Sequence, residues 1–204
     1  MPPDGRETGA SCDAWDNSHC EGTRFCQPRC PRVVDDDGRA LVVRRLADGD
    51  ADRLLDMYAE MSTESTTLGL PPRTRERTAR WLDGLDADGL NLVAVDDGRA
   101  VGHVAAAPLD DPDPRLVVFV RPGHRDRGLG TELLRQLVAY AADSGCESLL
   151  LTVDADNERA VHVYDNLGFD VVERLRAELT MEIVLDGPLV ERAQAPPAER
   201  SDHG

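Results

Sequence analysis

The stretch best equipped to hold an anion is Gly128-Leu-Gly130, preceded by Arg125 and Arg127 and set between an apolar run and a helix-like segment. First-turn amides of a helix lack carbonyl partners, the helix dipole adds about half a positive charge, and glycine lets a ligand reach the backbone. The same pattern fits a plain tight turn between a core strand and a packed helix. A P-loop is excluded, because it needs Gly-Lys-Ser/Thr and the chain has no lysine. The dinucleotide fingerprint needs three spaced glycines early in a βαβ unit, and the order of elements here is wrong for it. A second set of residues is Asn157, Ala160, Tyr164, Gly168 and Phe169, in which Tyr164 offers a phenol able to give up a proton. A third is Cys12, Cys20, Cys26 and Cys30, separated by seven, five and three residues, with His19 beside the second.

These groups need a scaffold, and hydrophobic periodicity supplies one between about residues 39 and 186. Leu41-Val-Val43 reads as a strand, and residues 48–61 and 74–85 as amphipathic helices joined by a threonine-rich loop, 62–72. Leu90 to Val95 and Ala100 to Ala105 flank Asp-Asp-Gly-Arg, a hairpin signal. The uniformly apolar run Leu116 to Val120 predicts a central strand buried on both faces. A helix over 128–142, a strand over 149–153, a helix over 158–166 and strands at 169–172 and 179–185 complete the order. The expectation is an α/β domain with a mixed, mostly antiparallel central sheet flanked by helices.

Outside this domain, residues 1–38 hold four of the five cysteines and few apolar side chains, and are expected to form a small cysteine-rich extension. Residues 187–204, rich in Pro, Ala and charge, are expected to be a solvated tail. The formal net charge of -16 disfavours nucleic acid and anionic lipid as partners. All 23 basic residues are arginine, a balance suited to a salt-rich, halophilic cytoplasm. With no apolar run long enough for a membrane span and no signal-peptide pattern, a soluble cytoplasmic protein is expected, as a monomer or homodimer.

Arg125-x-x-Gly128-x-Gly130 after one strand, and Asn157…Ala160…Tyr164…Gly168-Phe169 after the next, together resemble the GCN5-related N-acetyltransferase (GNAT) superfamily. The likeness is densest from Leu116 to Phe169 and extends through element order back to about Leu41. It implies the GNAT fold and acetyl-CoA as co-substrate. The pyrophosphate is expected on the amides of Asp126, Arg127, Gly128, Leu129, Gly130 and Thr131, with Arg125 at its edge. The pantetheine arm is expected along Val118, Phe119 and Val120, and Asn157 is expected to hydrogen-bond the cofactor.

By the same resemblance Tyr164 is the general acid for the departing thiolate. A packed aromatic is its structural alternative. The attacking amine must be neutral, which at pH 7 costs a lysine-like amine about 4.6 kcal/mol but an α-amine only about 1 to 1.4 kcal/mol. A general base is not evident. Thr152 stands where the branch acting on ribosomal protein N-termini often carries glutamate, and Leu116 to Val120 has no carboxylate. His103, Glu60, Glu64, Asp110 and Asp111 are the candidates, each with a surface or structural role as its alternative.

The cysteine spacing lacks the paired C-x-x-C of common zinc sites, yet a metal could organise a segment without a core, with zinc as the expected occupant and an iron-sulfur cluster as the alternative. A disordered extension with free thiols is the alternative. The expected function is transfer of acetyl from acetyl-CoA to a primary amine of a protein or small molecule. The competing expectation is an acyl-CoA-binding module without turnover that docks a partner through its cysteine segment.

Overall fold

The computed structural model describes residues 17–61, 72 and 74–200. Eight strands form a single sheet: β1 (Arg32–Val34), β2 (Ala40–Arg45), β3 (Leu90–Asp96), β4 (Arg99–Ala107), β5 (Arg115–Val120), β6 (Ser148–Asp154), β7 (Asp170–Arg174) and β8 (Glu178–Val184). Five helices accompany them: α1 (Asp50–Met61), α2 (Arg75–Ala87), α3 (Leu129–Asp143), α4 (Glu158–Leu167) and α5 (Gly187–Gln194). The strand order is β1-β2-β3-β4-β5-β6-β8-β7, and every neighbouring pair is antiparallel except β5 and β6. Among the described residues no helix is long and apolar enough to cross a membrane.

Alternation along the strands divides the core between the two faces. Leu90, Leu92 and Ala94 of β3 join the larger cluster with Leu129, Leu133 and Leu137 of α3. Val93 of the same strand turns the other way, toward Leu54, Met57 and Tyr58 of α1 and Leu82 of α2. At Gly102 of β4 an added Cβ would sit 2.7 Å from Leu133 Cδ1, so glycine there sets how closely α3 lies on the sheet.

Both flanks differ from the sequence expectation. Residues 187–194, expected within a solvated tail, form α5, whose Ala193 is buried against the larger cluster. Pro188 fits at the start of that helix because the first turn has no use for its missing N–H. The segment before β2 is likewise fastened to the domain. The buried Arg29 forks onto Glu132 of α3 at 2.8 and 2.7 Å and donates to the Ala193 carbonyl at 2.6 Å. Gln136 donates to the Cys30 carbonyl at 2.6 Å, and Tyr140 bonds Gln27. A charged fork and side-chain amides thus do what a small apolar core would otherwise do, and composition does not reveal such contacts.

The expected four-cysteine metal site is not assembled by the described residues. Cys12 lies outside them, and no three His, Cys, Asp or Glu side chains among them gather to hold a metal. Cys20, Cys26 and Cys30 are free thiols; the first two accept within their own turns, from Gly22 N–H at 3.4 Å and Thr23 N–H at 3.2 Å, and Cys30 accepts from Asn17 Nδ2 at 3.0 Å. The donor set described does not fit zinc.

Candidate active site

β5 pairs with β4 along its whole length but meets β6 in register only at Arg115 opposite Leu150. Beyond that point the parallel strands part, and a cleft of about 480 Å³ opens between them. Val117 to Val120 are therefore only partly buried, and their uniform apolarity does not reflect the burial on both faces expected from sequence. Among the described residues one backbone edge of the strand is left without a ladder partner, an arrangement suited to a ligand that carries its own amides.

Two helix N-termini face this opening, those of α3 and α4. Gly128 precedes α3 with φ of +74°, a conformation L side chains rarely adopt. Among the described residues the N–H groups of Leu129, Gly130 and Thr131 have no backbone acceptor, so three donors and a positive dipole end lie at one rim. Arg125 Nε donates to the Val120 carbonyl at 3.1 Å, tying the loop to the end of β5. Asp126, at φ +65°, is ion-paired with Arg159 of α4 across the rim.

The structure gathers most of the residues singled out by sequence. Val118, Phe119, Val120, Arg125, Asp126, Gly128, Gly130, Thr131, Asn157 and Tyr164 all line the cleft. Two do not. Leu129 is buried in the core beneath the loop, leaving only its backbone for a ligand. Arg127 is held by Asp37 at 2.9 Å, and its carbonyl accepts from Asp36 N–H at 3.2 Å, so the turn before β2 draws it from the cleft. Nothing in the spacing of the glycine loop announces that contact.

The Tyr-x-x-x-Gly-Phe spacing has a local cause. Gly168, at φ +99°, ends α4, and Phe169 N–H returns to the Tyr164 carbonyl at 3.0 Å. Phe169 is thereby buried under Tyr164, with ring centroids 5.7 Å apart. Burial pushes the Tyr164 phenol up to about 12. Asn157 caps α4, its Oδ1 accepting from Ala160 N–H at 3.2 Å, which leaves its amide N–H groups for a ligand.

The candidate bases are mostly engaged elsewhere. His103 is fully buried, with Nδ1 2.6 Å from the Tyr58 hydroxyl and Nε2 3.1 Å from Asn91 Oδ1, and burial lowers its pKa to about 3. Glu60 is clasped by Arg121 at 2.6 and 2.7 Å and by Arg99 at 3.3 Å. Asp111 accepts from Asp113 N–H at 3.0 Å in an exposed turn shared with Asp110, and Glu64 lies outside the described residues. Sequence reasoning missed Asp154, at the end of β6, a carboxylate on the cleft wall; it accepts from Asp156 N–H at 3.0 Å. Only the divergence of β6 from β5 makes it a wall residue.

A family model described as the acetyltransferase (GNAT) family matches residues 53–169, more than half of the chain. An uncharacterized N-acetyltransferase of Methanocaldococcus jannaschii is 33% identical over 109 residues, covering 50% of this chain and 48% of that one. A mycothiol acetyltransferase of Corynebacterium efficiens is 33% identical over 102 residues, covering 50% and 33% respectively. The chain thus spans half or less of the length of these relatives. The solved structure of yncA from Salmonella typhimurium, with its cofactor acetyl-CoA, superposes with a TM-score of 0.61 at 17% identity over 72% of this chain and 95% of that one. At that identity the likeness speaks for the fold.

Proposed function

Because the chain belongs to the acetyltransferase (GNAT) family, whose members use acetyl-CoA, we propose that it transfers the acetyl group of acetyl-CoA to a primary amine by direct attack. The observation that carries this reading is the parting of β5 from β6 directly beside the unpartnered amides of α3. In it, the pyrophosphate rests on the amides of Gly128 to Thr131, with Arg125 nearby. The amide-bearing arm of the cofactor runs along the open edge of Val118 to Val120, and Asn157 donates its side-chain amide.

Tyr164 then meets the sulfur. An alkyl thiol has a pKa of about 8.5, so handing a proton from a phenol near 12 to the thiolate is uphill by roughly 5 kcal/mol. Tyr164 therefore acts as a hydrogen-bond donor that keeps its own proton while CoA departs as the thiolate it stabilises, and the proton lost by the attacking amine goes to solvent. The phenol stays protonated throughout the neutral range.

With His103 and Glu60 engaged, an amine that is partly neutral at pH 7 is the better acceptor. That favours α-amines and other weakly basic primary amines over lysine side chains. Release of CoA thiol from acetyl-CoA, measured against a panel of α-amino compounds and alkylamines, tests the proposal. Turnover biased toward the less basic amines supports it, and absence of acceptor-dependent release overturns it. The same engagement of the bases supports a second reading, an acyl-CoA-binding module without turnover. Tight acetyl-CoA binding with no thiol release would select that reading.

A further inference from the structure

A second cavity, of about 450 Å³, lies further along the same face of α3 from the cofactor cleft, and Leu134 lines both. We infer that this cavity, between α3, α4 and α5, is a binding site for a small organic monocarboxylate with an apolar body.

The floor is apolar, built by Val138, Phe169, Ile183 and Leu189. The rim is basic in a chain of net charge -16: Arg135, Arg192 and Arg200 converge on it. Among the described residues neither Arg135 nor Arg192 is ion-paired. Arg200 is anchored by Nε to the Ala195 carbonyl at 2.9 Å, while its Nη2 is buried and has no hydrogen-bond partner among the described residues. A guanidinium does not shed its proton to escape such a position, so the orphan N–H calls for an oxygen acceptor. Burial and the neighbouring charge of Arg29 work against its charged form, and Glu132 offsets them only in part.

The other charged groups here narrow the ligand. Arg29 is already satisfied by Glu132 and the Ala193 carbonyl, so it adds no free donor. Glu199 also lines the cavity, and its carboxylate repels a dianion more than a monoanion. The planar fork of a guanidinium matches a carboxylate with two parallel hydrogen bonds. An apolar body over Phe169 and Ile183, with the carboxylate at Arg200 and its two neighbours, meets each of these conditions. None of this requires the chain to turn over acetyl-CoA.

Octanoate is the probe, titrated calorimetrically into the full chain with saturating CoA present. One octanoate should bind, and octanol should bind at least about tenfold more weakly, as expected for loss of charged hydrogen bonds. The exposed pair Arg135→Gln and Arg192→Gln, made together, should weaken octanoate by about tenfold or more while leaving the thermal midpoint unchanged. The inference is overturned if CoA displaces octanoate, if octanol binds as well as octanoate, or if the folded double variant binds octanoate like the parent.

Discussion

The hydroxyl of Tyr58 lies 2.6 Å from Nδ1 of His103, in the core between α1 and β4. The remaining partners fix the protons. Asn91 Nδ2 donates to the Leu85 carbonyl at 2.7 Å, so its Oδ1 faces His103 as an acceptor and Nε2 carries the ring hydrogen. Nδ1 then accepts from Tyr58. Each member of this chain is satisfied while the imidazole is neutral, and protonation at Nδ1 would force the buried Tyr58 hydroxyl to turn its hydrogen away and accept instead.

Stability should therefore fall with acidification through His103. Its folded pKa, about 3, lies below the ordinary 6.5, so between these values the unfolded chain binds a proton that the folded chain refuses. The contribution is fully present above pH 6.5 and is lost as pH falls toward 3, amounting to about 2 kcal/mol between pH 7 and pH 5. Asp50 does not blur this window. Burial alone would raise its pKa, but hydrogen bonds from Arg44, Arg53 and the Ala47 amide prevail and hold it at about 2, so its contribution fades only below about pH 4. Urea unfolding at pH 7 and pH 5 should show the loss in the parent and a smaller one in His103→Gln. Equal losses in both would refute the assignment.

This buried chain also shows where sequence stops being informative. The elements from Leu41 to Val184 were legible because helical and strand periodicities differ and because the glycine loop, Asn157 and Gly168-Phe169 carry local backbone requirements. His103 was visible only as a polar residue in a strand. Its partners at 58 and 91 come from other elements, and spacing along the chain does not encode them. The partly open β5 misleads for a related reason: apolar residues that face a ligand cleft look the same as residues that face a core. α5 and the Arg29 strap are not legible in the sequence because charged and proline-rich segments dock through a few long-range hydrogen bonds without a periodic apolar face.

Removing the Tyr164 hydroxyl should separate chemistry from binding. Tyr164→Phe keeps the ring on Phe169, so folding and acetyl-CoA affinity should change little, while turnover should fall by about a hundredfold. Because burial holds the phenol at about 12, the parent should show no loss of rate from Tyr164 ionisation up to about pH 10.5. Steady-state kinetics from pH 7 to 10.5 checks both points. An unchanged kcat in the phenylalanine variant would remove Tyr164 from the mechanism.

Arg29→Met should loosen both flanks of the domain together. The change strips the fork from Glu132, whose side chain is only 12% exposed, and the donor from the Ala193 carbonyl. Breaking a buried pair from one side costs about 3 to 5 kcal/mol, here nearer the lower end because Gln136 still donates to Glu132 at 3.1 Å. Limited proteolysis should then cut within residues 17–31 and α5 before the rest of the chain unfolds. A lower unfolding midpoint without early cleavage would show that these segments are not held by Arg29 in particular.

The two loop glycines should respond differently to alanine. At Gly128 the left-handed backbone costs an L residue about 1 to 2 kcal/mol, and the new Cβ would lie 3.1 Å from Asp36 Oδ1, so stability should drop. At Gly130 the nearest atom to a new Cβ is Val120 Cγ2 at 3.7 Å, ordinary contact, and alanine favours the first turn of α3 by up to about 1 kcal/mol. Gly130→Ala should therefore fold as well as the parent or better. Its methyl group nevertheless stands on the cleft side of the loop, where the proposed reading seats the pyrophosphate on the amides, and on that reading the KM for acetyl-CoA should rise about tenfold with the loss of a charge-assisted hydrogen bond. Thermal unfolding and acetyl-CoA titration of the two variants test this as a pair. A stable Gly130→Ala variant that binds acetyl-CoA like the parent would place the pyrophosphate elsewhere than on this loop.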